Sequence, residues 1–385
     1  MIPPLYITGQ GVVSAIGFGC AETLAALREG RTGIGTLRYL PTNLTDVPVG
    51  EVKATDAELS AMAGVPEGLP RTPLLGILAL KEALESAGLS SLEGIPLISG
   101  TTVGGMDLTE RTFPVISPYH DCGASTDLIA ARFGGAPYAT TLSTACSSAA
   151  NSIIMGANLI RAGRADIVAV GGTESLSSFH LNGFNSLMIV DKAPCRPFDA
   201  TRAGLNLGEG AAFVILESEA SVKRRGVKPL GRLSGFGNAC DAYHQTASSP
   251  EGVGAYLAMS EAVKRSGIPL EEIGYVNAHG TGTPDNDAAE SAALRRLFGG
   301  KVPPVSSTKA FTGHTTSASG SIEAVFCLLA LQHGFLPPQL NWHTPDPNCV
   351  VPVQAPTPAP GLKHVLCNAF GFGGNDSSLL LSRCL

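Results

Sequence analysis

A chain of 385 residues that is 44% hydrophobic, 15% charged and carries 46 glycines is long for one core, and it points to a globular protein of two domains or two halves. The net charge of −6 gives no support to nucleic-acid binding, and no run of about 18 apolar residues is present to span a membrane. Nine cysteines without a CxxC pair suggest neither a zinc site nor a disulfide framework, so no metal is expected and a reducing cytoplasm is the expected location.

The N-terminus is apolar, but it lacks a basic leading segment and carries Gly9, Gly11 and Gly17, which argues against a signal helix. Residues 5–8 read as a first strand followed by a glycine-rich turn. Thr72-Pro73 predicts a helix start, with Thr72 as N-cap, apolar Leu74, Ile77, Leu78 and Leu84 along one face, and Gly88 as the stop. Strands are expected over 96–100 and, buried, over 140–145. Ile153, Ile154, Ala157 and Ile160 then recur at helical spacing. Further strands are expected over 167–170 and 210–216, the latter followed by the basic stretch Lys223-Arg224-Arg225.

From about residue 229 the same grammar restarts. A strand over 232–235 is followed by a helix over 255–266, a strand over 275–278, a helix over 287–298 and a strand over 305–308. A strongly apolar helix covers 319–331, and strands over 365–369 and 377–382 flank a glycine turn. The alternation predicts an α/β fold, and the restart suggests an internal duplication, with halves 1–228 and 229–385. Pro-rich 351–360 reads as a surface connection or an edge segment.

Four strand ends carry residues that chemistry can use. Cys146, in Ser-Thr-Ala-Cys-Ser-Ser, stands between a strand and a helix, where free N–H groups and the helix dipole would lower a thiol pKa. A buried cysteine acting as a small hydrophobe is the competing reading. His279 follows a strand in Asn-Ala-His-Gly-Thr-Gly-Thr, either as a functional group or as a turn cap. Lys309 and His314 lie five residues apart in Ser-Ser-Thr-Lys-Ala-Phe-Thr-Gly-His, where a surface lysine and a helix-entry histidine are the plain alternative. Glu323, on the next helix, either bonds backbone in that turn or is an exposed helical position. Asn-Ala-Phe-Gly-Phe-Gly-Gly-Asn (368–375) is a ligand-approaching loop or a hairpin turn.

Taken together, these segments resemble the β-ketoacyl-acyl carrier protein synthases, condensing enzymes of the thiolase superfamily, over nearly the whole chain. The resemblance implies a thiolase-like duplicated fold of two similar halves, layered α/β/α/β/α. The set Cys146, His279 and His314 looks like the synthase I and II branch. It implies a ping-pong decarboxylative condensation with Cys146 as acyl carrier, His279 and His314 as enolate stabilisers, and Lys309 ordering the site with Glu290 and Asp287 as partners. The oxyanion hole would be the N–H groups of Cys146 and Phe372.

The same resemblance assigns Thr281 and Thr283 to the pantetheine arm and Val103 and Phe184 to the acyl pocket. Phe372, between Gly371 and Gly373, matches a gating loop, and Asp241 and His244 match a second loop that moves with it. No cofactor is implied beyond the phosphopantetheine of an acyl carrier protein. The implied partners are that carrier protein and, in a homodimer or a heterodimer with a chain-length-factor-like subunit, a second chain. This chain departs from the pattern in being short between about 100 and 140, in Leu205-Asn206 where the family often has Phe-Val, and in Thr-Thr-Ser-Ala-Ser-Gly at 315–320.

Overall fold

The computed structural model describes residues 4–384. Among the described residues eleven strands build its central sheet, ten of them along one continuous path. In the first half they are β1 (Leu5–Ser14), β2 (Leu97–Gly100), β3 (Ala139–Leu142), β4 (Ile167–Glu174) and β5 (Gly210–Ser218). In the second half they are β6 (Gly231–Cys240), β7 (Ile273–Asn277), β8 (Val305–Ser306), β9 (His364–Gly371) and β10 (Asn375–Ser382). The spatial order is β3-β2-β4-β5-β1-β6-β10-β9-β7-β8, with the short strand Gly17–Phe18 beside β1. The halves carry the same strand order outward from the β1–β6 seam. In each, the inner pairings are antiparallel and the outer ones parallel.

Six helices repeat in the same way. They are α1 (Arg71–Ser86), α2 (Cys122–Arg132), α3 (Ser148–Arg161), α4 (Val253–Ser266), α5 (Pro284–Phe298) and α6 (Ser319–His333). Three apolar clusters show the layering. One joins α3 and α6 between the two halves of the sheet, one lies under α1 and α2, and one lies under α4 and α5. The central helix α6 is buried from Ser319 to Leu331, which explains its nearly unbroken apolar sequence. Where it crosses α3, a Cβ on Gly320 would stand 2.7 Å from the Ala150 nitrogen, so only glycine permits the approach.

The glycine-rich turn expected after residue 8 is instead part of β1. A Cβ on Gly9 or Gly11 would strike the carbonyl oxygens of Ala83 and Ala79 in α1, at 2.2 and 2.1 Å. Gly235 and Gly237 of β6 stand in the same relation to Ala262 and Ala258 of α4, at 2.0 and 2.1 Å. These glycines let a helix lie against a strand, and their recurrence marks the duplication that sequence identity conceals. Thr72 is not an N-cap. Pro70 holds that position, and Thr72 Oγ1 is bonded to Ser175 Oγ at 2.7 Å. β3 stops at Leu142 and is only half-buried. Short helices at Cys20–Glu29, Asp56–Ala63, Met106–Thr112, Ser178–Ser186 and Glu219–Arg225 lack the long apolar periodicity that announces a helix. The Pro-rich segment is an edge: Thr357–Pro358 pairs with Phe335–Leu336.

Candidate active site

The duplication explains how residues 168 positions apart meet. Cys146 precedes α3 and His314 precedes α6, the matching helices of the central layer, so both sit where those helices begin. The Cys146 Sγ lies 3.1 Å from His314 Nε2, and His314 Nδ1 lies 3.0 Å from Ser319 Oγ. Ala145 is held at φ 51, a left-handed conformation uncommon for a residue with a side chain, so the backbone is strained beside the thiol.

Burial pushes the Cys146 thiol up to about 11, with Glu174 adding to the rise. Lys309, the Phe372 N–H and the cysteine's own N–H pull in the other direction. This reverses the expectation of a lowered pKa. The helix begins at Ser148 with Ser147 as its cap, so Cys146 lies outside the first turn, and burial outweighs the dipole. The imidazoles of His279 and His314 are held well below their ordinary value, first by burial and then by the charge of Lys309. Both are therefore neutral, each with a single N–H. Their rings meet edge to face at 5.2 Å. The His279 ring nitrogen Nδ1 is buried without a protein partner.

Lys309 is not a surface residue. It is buried and ion-paired to Glu323, Nζ to Oε1, at 2.6 Å. Glu323 is accordingly neither exposed nor bonded to turn backbone, and burial pushes its carboxyl up to about 7 against the pull of Lys309. The partners expected for Lys309 lie elsewhere. Glu290 accepts the N–H groups of His279 and Gly280 at 2.9 and 2.8 Å, and burial raises it to about 7. Asp287 accepts the Phe198 N–H at 2.8 Å and the Gly282 N–H at 3.2 Å. Both carboxylates brace the His279 loop rather than the lysine.

A cavity of about 260 Å³ opens onto Cys146, His279 and His314. Its walls include Phe184, Thr281, Thr283, Phe370, Gly371, Phe372 and Gly373, together with Leu187, Ile189 and Leu205. Phe184 stacks on Phe372 with ring centroids 5.7 Å apart. Val103 does not reach this cavity. It is buried, with its N–H 3.2 Å from Glu174. The two expected loops touch: the Asp241 N–H bonds the Gly374 carbonyl and the Gly373 N–H bonds the Gln245 carbonyl, each at 2.8 Å. Asp241 also accepts from Ser249 and Gly254, whereas exposed His244 bonds only the Thr246 N–H. Sequence reading passed over Ser319 and Glu174. The hydroxyl-rich run 315–319 was the available signal for the first. For the second there was none, because the Thr101–Val103 and Thr316–Ser317 donors that surround Glu174 meet only in three dimensions.

Residues 3–221 match the family model described as beta-ketoacyl synthase, N-terminal domain, and residues 230–343 match the C-terminal domain of the same family. The chain belongs to the β-ketoacyl synthase family. It is 32% identical to the 3-oxoacyl-[acyl-carrier-protein] synthase 2 of Vibrio cholerae serotype O1 and 33% identical to nodulation protein E of Rhizobium meliloti, with 98% of each chain covered in both cases. Among solved structures it resembles the ishigamide ketosynthase/chain length factor, with TM-score 0.91, 30% identity and both chains fully covered. It also resembles a ketosynthase in complex with its chain length factor from Xenorhabdus doucetiae, with TM-score 0.84 and 31% identity over 99% of this chain and 98% of that one.

Proposed function

We propose that this chain is a β-ketoacyl-acyl carrier protein synthase that extends a Cys146-bound acyl group by decarboxylative condensation with malonyl-acyl carrier protein. The observation that carries the reading is the convergence of Cys146, His279 and His314 on one cavity, with the Phe372 N–H facing the thiol.

The acyl group arrives as a thioester on a phosphopantetheine arm lying along Thr281 and Thr283. Cys146 Sγ attacks the carbonyl carbon as its proton is lost to solvent, while His314 keeps its N–H on Nε2, facing the thiol, and accepts the Ser319 hydroxyl at Nδ1. The oxyanion is held by the Cys146 and Phe372 N–H groups, donors worth roughly 3 kcal/mol each. The pantetheine thiolate leaves and takes a proton from solvent, so the acyl-enzyme forms with His314 neutral and its N–H still on Nε2. In the second half, malonyl thioester loses CO2, and the electron pair left behind becomes an enolate whose oxygen accepts N–H bonds from His279 and His314. Neutral imidazoles suit this task, since each donates without adding a full charge. The α-carbon attacks the acyl carbonyl, the C–C bond forms and the C–S bond breaks. Cys146 leaves as thiolate and regains a proton from solvent.

Burial and the charge of Lys309, held in place by its ion pair with Glu323, keep the histidines unprotonated. Phe372 with Gly371 and Gly373, and the Asp241–His244 loop, gate the cavity. The partners are an acyl carrier protein and a second thiolase-fold chain. A chain-length-factor-like subunit is favoured as that second chain by the two ketosynthase/chain length factor relatives. Cytoplasmic location is supported by cysteine usage, nine free thiols among the described residues.

The test is intact-mass analysis after incubation with acyl-carrier protein. Wild type gains the acyl mass and Cys146→Ala does not, whereas an adduct surviving in the variant overturns the assignment. His279→Ala and His314→Ala retain an acyl group yet fail to release CO2 from malonyl-carrier protein. Normal release by both would refute their enolate role.

A further inference from the structure

The two N–H groups facing the Cys146 thiol come from different halves of the molecule. That of Cys146 belongs to the turn before α3, and that of Phe372 to the turn between β9 and β10. Their spacing is therefore set by how the halves dock at this point. A knot of amides and hydroxyls joins the halves there. Asn375, the first residue of β10, offers Oδ1 to Ser147 Oγ at 2.9 Å, Asn151 Nδ2 at 2.8 Å and Asn238 Nδ2 at 3.0 Å. Asn151 Oδ1 accepts from Asn238 Nδ2 at 3.0 Å and Ser377 Oγ at 2.9 Å. Asn151 Nδ2 also reaches Thr144 Oγ1 at 2.9 Å, and the Thr144 carbonyl, 2.8 Å from Ser147 Oγ, shares that hydroxyl's one proton with Asn375 Oδ1. The residues flanking Cys146 are thus tied to the residue three places after Phe372.

Resting on the functional reading above, we propose that Asn375, clasped by Asn151 and Asn238, is a positioning residue that fixes the distance between the two oxyanion donors. Strand β10 does not need the clasp to stay in the sheet, because its backbone ladder runs from Asn375 to Ser382 against both β6 and β9. What the side chain adds is a link from that ladder across to the cysteine turn. Oxyanion donors act only within about 2.7–3.1 Å of the oxygen. A misplacement of about 1 Å is worth on the order of 100-fold in rate.

The experiment compares two reactions of the same thiol in the full-length protein. Acyl transfer from an acyl-pantetheine thioester needs the oxyanion hole, whereas alkylation by iodoacetamide does not. In Asn375→Ala, acyl transfer falls about 10- to 100-fold. Alkylation stays within about threefold, because burial and Lys309 still set the thiol. Asn151→Ala shows the same split, and the double variant loses no more than the worse single, since both break one clasp. Should Asn375→Ala not fold, Asn151→Ala carries the test alone. Acyl transfer within about twofold of wild type, or alkylation falling in parallel with it, overturns the clasp. Wild-type protein that takes no acyl group overturns instead the functional reading beneath it.

Discussion

Gly371→Ala isolates the oxyanion hole with one methyl group. Gly371 ends β9 at φ −109 and ψ 151, extended backbone that alanine adopts without strain, so any effect is steric. An added Cβ would stand 3.0 Å from the Thr144 carbonyl oxygen, 3.2 Å from that of Asn375 and 3.3 Å from the Cys146 nitrogen, where ordinary contact begins at 3.4 Å. All three neighbours are backbone, so none can swing aside, and the turn bearing Phe372 must back away by a few tenths of an ångström. Overpacking of this kind costs about 1–2 kcal/mol of stability. A shift of that size at the donor pair costs about tenfold in acyl transfer. Denaturant unfolding reads the first, and single-turnover acylation of Cys146 followed by intact mass reads the second. Acylation at the wild-type rate with an unchanged unfolding midpoint would show that the turn has room the distances deny, and would refute the reasoning.

Three further outcomes follow from the same geometry. In Lys309→Met the charge that helps hold His279 and His314 unprotonated is lost, so their pKa values rise and the acidic limb of the condensation rate profile moves to higher pH; an unmoved limb refutes it. In Leu205→Phe a larger ring enters the acyl cavity and shortens the longest chain carried on Cys146, each excluded methylene forfeiting about 0.8 kcal/mol; acyl-enzyme masses across a panel of chain lengths read this. Asp376, raised to about 8 by burial and by the neighbouring Asp241, keeps its proton when folded but ionises near 3.8 when unfolded. Wild type therefore loses stability as pH rises between those values, and Asp376→Asn removes that loss. The variant's advantage is absent below about pH 4 and grows toward pH 8, by at most about 1.4 kcal/mol per pH unit, in unfolding free energies measured across that range.

Much of the candidate site was legible because its residues are short signals in the connections that follow strands: Cys146, His279, Lys309, His314 and the Gly371–Gly374 turn all lie there, although β3 already ends at Leu142 and β8 at Ser306. Cavity lining by Phe184, Thr281 and Thr283 was also readable from the resemblance. The charge arrangement was not. Lys309 pairs with Glu323 rather than Glu290 because the connection after β8 meets the interior of α6, which periodicity does not reveal. The placement of Val103 depended in the same way on where Glu174 drew its loop.

The amino-acid pattern by itself determined that strands and helices alternate twice, that the cysteine and two histidines lie in connections that follow strands, and which family they match. Short-range rules suffice there, since strand, helix and turn propensities act within a few residues. Only the tertiary structure decided that Gly9 and Gly11 continue a strand, because the reason for them is a helix some 70 residues away. It also decided the protonation of the site. Desolvation is a property of the packed interior, and it turned the expected lowered thiol into a raised one and the two histidines into neutral donors.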